Sequence, residues 1–430
     1  MEYNPKIKIE KNTEKIELII KNGKNMNKSE VKSNKVKNFF NMIENKIIKR
    51  NNNSNPKENF EQKNKKERNP GIDLVRLISM FNIVINHYLF NGEIFKTFPR
   101  YERFFSCFHN FTDFNNNAFI LISGIIGYKT SKYSNLIYLW LTVLFYSVGI
   151  SKFYRYKKKI YRTNEEIYQE YYPMIYRRYW FFTSYFGMYL FLPVINKGIV
   201  YLTKYELRLV VMTTLFIFIF WRFNKNPDKN VFQMHNGFSM IWFLTLYLTG
   251  AYIGKYRVDY CGIKKYLYCF ICLFTYFLVS YLFFKVAHNE LPIVIGNKKI
   301  ELPIAIRRTL GENFDSFSKV IQCIAVCCFF MQIKYNKYLA KIICFFGPLI
   351  FSVYLIHNND LVVVHVLRHI FDNTPMDSNF NSLINLLLLK SIKIFILSLI
   401  IDYLRHLLFT ILRIKKILIF VETKLKEILS

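Results

Sequence analysis

Gly71-Ile-Asp-Leu-Val-Arg76-Leu-Ile-Ser-Met-Phe-Asn-Ile-Val-Ile-Asn-His87-Tyr88 decides how this chain of 430 residues is read. The stretch is apolar over nearly the length that crosses a bilayer core, and no proline interrupts it. Runs of the same kind recur to the end of the chain. They lie near 72–91, 111–128, 134–152, 180–197, 206–222, 238–255, 264–286, 316–334, 342–366 and 383–410. The pattern predicts an all-α fold, a polytopic membrane helical bundle of about ten transmembrane helices. The last two runs are long enough to tilt or kink, and Pro348 offers a kink point.

Composition points the same way. Hydrophobic residues make up 52% of the chain, and its 43 Phe and 31 Tyr far exceed what a soluble core needs. The net charge of +31 resides in the N-terminal segment and between the apolar runs, where charges excluded from lipid belong. No basic surface with exposed stacking aromatics is evident, so no nucleic-acid partner is expected. The eight cysteines fall mostly in or beside apolar runs and read as packing residues, not as a disulfide framework or zinc site.

Residues 1–69 are dominated by Lys, Asn and Glu and predict a disordered cytosolic extension, with a possible attraction to anionic lipid. The first apolar cluster, residues 16–20, is too short for a signal peptide. Residues 70–412 form the expected transmembrane domain, and 413–430 a basic amphipathic tail. An even number of spans puts both termini on one side. Short loops carrying Lys129/Lys132, Lys255/Arg257/Lys264/Lys265 and Lys334/Lys337/Lys341 share that side with the basic N-terminus, so N- and C-termini are expected in the cytosol. The strongly basic loop 152–178 falls on the opposite side and counts against this orientation.

Within the first run, Arg76 and His87 are separated by ten residues. Eleven helical steps leave their side chains only about 20° apart around the axis and about 16 Å apart along it. They line one face at two depths. A snorkelling arginine and a packing histidine are the plain readings, but a shared face favours a functional pair, because hydrocarbon makes idle charge costly.

These two residues match the Arg/Lys-x10-His motif of the acyltransferase-3 family, multi-pass membrane acyltransferases that the sequence resembles over roughly residues 70–410. Further matches follow in the family's order: Phe119-Ile-Leu-Ile-Ser123-Gly124, then Tyr179-Trp180-Phe181 with Tyr185, Pro193 and Asn196. Trp242-Phe-Leu-Thr-Leu-Tyr247-Leu-Thr-Gly250 and Phe351-Ser352-Val-Tyr354-Leu-Ile-His357 complete the set. The Tyr-Trp-Phe block is most like the polysaccharide-modifying branch. Ile125 stands where the family usually has an aromatic residue, and Lys129 and Lys132 where it often has arginine. A lysine cannot grip phosphate bidentately as arginine can.

The resemblance implies transfer of an acyl group, acetyl in the first instance, from acyl-CoA to a hydroxyl of a glycan or lipid-linked acceptor. His87 is the expected catalytic residue, as general base or as transient acyl carrier. Arg76, nearer the cytosol, is expected to hold donor phosphate, with Lys129 and Lys132 beside it. Ser123, Tyr354 and His357 are the expected substrate-side residues, although Ser123-Gly124 also suits close helix packing. His365 and His369 have a metal-compatible spacing without a third ligand, so no metal is expected. The rival reading is a transporter or flippase with Arg76 and His87 along its path. No internal repeat between the halves supports it.

Overall fold

The computed structural model describes residues 68–221, 232–256, 264–288, 293–295, 298–300 and 307–429. The extension expected at 1–69 lies outside these residues except for Arg68 and Asn69. Both belong to the folded part: the Asn69 side chain accepts from the Gly71 amide at 2.9 Å and caps the first helix, with Pro70 in its first turn.

Among the described residues there are fourteen helices of eight residues or more. They are α1 (Pro70–Asn91), α2 (Glu102–Thr112), α3 (Asn115–Gly127), α4 (Tyr133–Lys158), α5 (Asn164–Tyr171), α6 (Trp180–Tyr201) and α7 (Lys204–Phe220). The second half holds α8 (Met240–Tyr256), α9 (Lys265–Ala287), α10 (Phe317–Gln332), α11 (Lys337–Phe346), α12 (Ile350–His357), α13 (Phe380–Ile411) and α14 (Ile414–Leu429). One short antiparallel hairpin, β1 (Ile293–Ile295) and β2 (Lys298–Ile300), follows α9 with Ile293 opposite Ile300.

Nine of the ten expected spans each fall mainly on one of these helices, while 342–366 is divided between α11, α12 and the turns around them. Five segments of the described residues combine the length and apolarity needed to cross a membrane. They are α1, α4, Lys265–Val286, Lys337–His357 and α13. The expected count of about ten is not reached by this measure. At 13, 17, 17 and 16 residues, α3, α7, α8 and α10 are short of the roughly 20 that a bilayer core requires. The Lys337–His357 segment is continuous through a tight turn, Gly347–Leu349, where Pro348 sits.

The five differ in what surrounds them. Only 17% of the apolar window of Lys265–Val286 and 28% of that of α13 is buried inside the protein, against 61% for α1. Large apolar side chains such as Phe274, Leu389, Ile400 and Leu404 stand exposed on α9 and α13, as lipid-facing surfaces require. By contrast, α1 is enclosed by α3, α10, α11, α12 and α13.

Helices α3 and α8 approach until their backbones touch. A Cβ at Gly250 would lie 2.0 Å from the Leu121 carbonyl oxygen, and one at Gly124 would lie 2.1 Å from that of Tyr247. Small residues therefore set this helix pair, as they do elsewhere in membranes. Two charged clusters inside the bundle have partners close by. Arg405 donates to both oxygens of Asp402 (2.7 and 3.1 Å), Tyr146 donates to Asp402 (2.8 Å), and Arg405 also reaches the Tyr138 hydroxyl (2.9 Å). Lys319, fully enclosed, donates to the Asn110 carbonyl at 2.9 Å and lies 3.7 Å from Asp113.

Candidate active site

Two histidines meet where α1 and α12 end. His87 Nδ1 and His357 Nε2 are 3.0 Å apart, and the other nitrogen of His357, Nδ1, is 2.6 Å from the Val353 carbonyl oxygen. A carbonyl can only accept, so Nδ1 of His357 carries a proton. In a neutral ring its Nε2 then has only a lone pair, and His87 Nδ1–H must donate to it. The same logic leaves His87 with an unprotonated Nε2. One carbonyl, one turn earlier on α12, thus fixes the tautomers of both rings. Among the described residues no carboxylate is bonded to either ring.

Local sequence holds this geometry. Asn91 donates to the His87 carbonyl at 2.8 Å, and Asn86 binds Thr112 of α2 at 3.0 Å, fixing the end of α1. On the other side, Tyr179 donates to the Leu355 carbonyl (3.2 Å) and accepts from Asn359 (3.0 Å), whose own side chain caps Leu361 (3.1 Å). Asp360 is then clamped by Arg162 at 2.5 Å and by Arg178. His87 is half-buried, whereas His357 is fully enclosed, so any reactant meets His87 first.

Arg76 lies at the opposite end of the α1 face. It donates to Asp73 at 3.0 Å, and Asp73 is also gripped by Arg68 at 2.5 and 2.9 Å. Two guanidinium groups share one buried carboxylate, leaving a surplus positive charge. Gly347 makes room for the cluster, since a Cβ there would lie 2.6 Å from Arg68 and 2.7 Å from Asp73. Lys129 and Lys132 stand exposed in the turn after α3, at this same end, where Ile72 and Val75 of α1 pack with Ile122 and Ile125 of α3.

The other expected residues fall as follows. Ser123 donates to the Phe119 carbonyl of its own helix at 2.9 Å. Tyr354 packs edge-on against Tyr179, Phe181 and His357, with ring centroids 5.9, 6.0 and 6.4 Å apart. His357, expected on the acceptor side, is hydrogen-bonded to His87. His365 stacks on Tyr154 while His369 pairs with Asp372 at 2.6 Å, so these two do not converge on one point. Residues that the sequence reading passed over include Asp73 and Arg68. An acid three residues before an intramembrane arginine was the available signal. Asp360 and its arginines gave none, being separated by 182 and 198 positions.

The bundle, with its several long apolar helices, defines a multi-pass membrane protein, and two hydrogen-bonded histidines lie within it. A family model described as an acyltransferase domain matches residues 69–404, more than three quarters of the chain. The chain belongs to the acyltransferase-3 family and is a membrane acyltransferase. No curated protein and no solved structure matches it.

Proposed function

We propose that the enzyme transfers an acetyl or other short acyl group from acyl-CoA to a hydroxyl of a glycan or lipid-linked acceptor. The observation that carries this reading is the 3.0 Å hydrogen bond between His87 and His357, anchored on the Val353 carbonyl, which leaves His87 Nε2 as a free base. In the reaction, Nε2 takes the proton of the acceptor hydroxyl as its oxygen attacks the thioester carbonyl. The C–S bond breaks, and the imidazolium returns the proton to the departing thiolate of coenzyme A. His357 and Val353 hold the imidazole in position and favour its charged state while the proton is in transit, as the orienting group of a catalytic triad does.

The surplus charge around Arg76 and Arg68, with Lys129 and Lys132 nearby, suits the phosphates of the donor. The pantetheine arm then extends along the α1 face, over the roughly 16 Å from Arg76 to His87. Cytosolic termini accord with donor entry at the Arg76 end. The basic loop 152–178 weighs less against that orientation than its composition suggests. Three of its arginines are paired, Arg155 with Glu170 (3.0 Å), Arg162 with Glu166 (2.8 Å) and Arg178 with Asp360.

Purified protein incubated with acetyl-CoA labelled on the acetyl group tests the reading. Label transferred to a hydroxyl acceptor, or slow hydrolysis without one, is the expected result. If neither occurs and the protein instead moves a solute across vesicles in a His87-dependent way, the transport reading replaces it.

A further inference from the structure

A groove of about 580 Å³ runs between α4 and α13, within the size range of ligand sites, and most of its wall is apolar. Phe145, Phe153, Val366, Leu397 and Ile401 line it and remain exposed. Tyr88 and Ile356, the chain neighbours of His87 and His357, form part of its floor. Two lysines also line this wall: Lys390 and Lys393, both exposed, in the middle of a helix apolar enough to span a membrane. They are three residues apart and so share a face. Neither forms an ion pair among the described residues.

Their depth follows from packing. Phe380, at the start of α13, meets Tyr101 beyond the end of α1, with ring centroids 5.4 Å apart. Phe395 packs edge-on against Phe81 at 5.5 Å, so the two helices run antiparallel. From that contact, Lys390 lies five residues back along α13 and His87 six residues on along α1, roughly 8–9 Å in each case. Lys390 therefore stands near the level of the histidine pair, and Lys393 about 5 Å nearer the level of the Phe81–Phe395 contact. Intramembrane cations facing lipid are costly unless something neutralises them.

We infer that this groove binds an anionic phospholipid of the surrounding bilayer, with an acyl chain along the aromatic and aliphatic wall and the phosphate on Lys390 and Lys393. Charge complementarity selects this occupant. An apolar partner helix would leave both ammonium groups uncompensated, whereas a lipid phosphate satisfies both and brings its own chain for the groove. The inference concerns a site outside the His87–His357 pair and does not depend on the acyl-transfer reading.

The test is native mass spectrometry of the detergent-solubilised full chain, titrated with phosphatidylglycerol and, separately, phosphatidylcholine of matched chains. Wild-type protein is expected to retain phosphatidylglycerol preferentially. Lys390→Gln/Lys393→Gln should weaken that binding by roughly 30-fold, to the level of phosphatidylcholine. Removing two lipid-facing charges eases insertion, so misfolding is not the expected cause of the loss. Lys390→Arg/Lys393→Arg should keep the preference. Gly149 offers an independent variant: it lines the groove, and a Cβ there would meet nothing within 4 Å. Gly149→Phe should therefore fill the chain's place and weaken both lipids while leaving the lysines intact. Equal binding of the two lipids by wild type, an unchanged preference in the double Gln variant, or a lipid-free dimer covering the groove would overturn the inference.

Discussion

Helices α1 and α13 run side by side through the same apolar surroundings, and each cross-links an acid and an arginine three residues apart, Asp73–Arg76 and Asp402–Arg405, but they differ in what surrounds their other ionisable groups. Most of α1 is enclosed by protein, and it carries Asp73, Arg76 and His87 along its length. Most of α13 faces outward, and its buried ionisable groups, Asp402 and Arg405, are cross-linked within one turn. The difference shows what enclosure permits. On a helix exposed to lipid, a charged group without a partner among the described residues, such as Lys390 or Lys393, depends on the lipid for its counter-charge. On an enclosed helix a neighbouring element can supply the partner, as α12 does for His87 through His357. The comparison predicts that substitutions on α1 damage transfer more than folding, and that those at the α13 pair do the reverse.

The largest effect expected is on catalysis. His87→Ala should reduce transfer by about 10²- to 10⁴-fold, the span associated with loss of a general base. It should leave the unfolding temperature in detergent nearly unchanged, because the side chain contributes one hydrogen bond. Transfer rate and thermal unfolding measured on the same preparation check both halves. Wild-type transfer in this variant would remove His87 from the mechanism.

At the α13 pair the order reverses. Asp402→Ala leaves Arg405 buried without its carboxylate and should destabilise the protein by about 3–5 kcal/mol, whereas removing both charges in Asp402→Leu/Arg405→Met should restore most of that. Transfer per folded molecule should stay near wild type in the double variant. Thermal unfolding of the single and double variants decides it. An equally unstable double variant would show that the pair is not held together by mutual neutralisation.

What the sequence revealed follows the same division. The common face of Arg76 and His87 was legible, because helical periodicity is local and eleven steps return nearly to the starting angle. His357 was legible only through a motif, and its place 3.0 Å from His87, 270 positions away in the chain, was not. Asp402 and Arg405 were present in the last expected span but diluted by the 19 apolar residues among its 28. Lys319 was lost in the same way, and its partner Asn110 lies 209 positions distant. The number of spans was the weakest expectation. Runs such as α3 and α8 read as lipid-crossing by composition, yet they are short helices whose glycine faces pack on each other.

His357→Ala sharpens the α1 side of the comparison. Without the acceptor at His357 Nε2, the proton of His87 is free to move between its two nitrogens, and the ring is free to turn. Transfer should fall by up to about 100-fold, less than in His87→Ala, because the base remains but is misplaced. The loss should appear in kcat with KM for the donor nearly constant, and the pH–rate profile should shift. A packing defect alone would lower the folded fraction without moving that profile. An unchanged profile would therefore reduce His357 to a packing role.

The smallest effect concerns the tail after α13. Helix α4 is preceded by Lys132, whose side chain makes no capping hydrogen bond. Glu422 of α14 supplies one from 288 positions away, its carboxylate accepting from the Ser134 amide at 3.1 Å while pairing with Lys426 at 3.0 Å. An anion at a helix N-terminus is favoured by the unsatisfied amides there. Partial burial alone would raise the Glu422 carboxyl, but the Ser134 and Lys426 contacts outweigh it and bring it down to about 2 from the ordinary 4.5. Because the folded state lowers this pKa, its contribution to docking α14 is complete above about pH 4.5 and fades as pH falls toward 2. Hydrogen exchange should therefore show α14 and the first turn of α4 losing protection together across that interval, with α1 unaffected. Glu422→Gln should show the reduced protection already at neutral pH and no further change on acidification. If the wild-type first turn of α4 kept its protection down to pH 2, Glu422 would not be the cap.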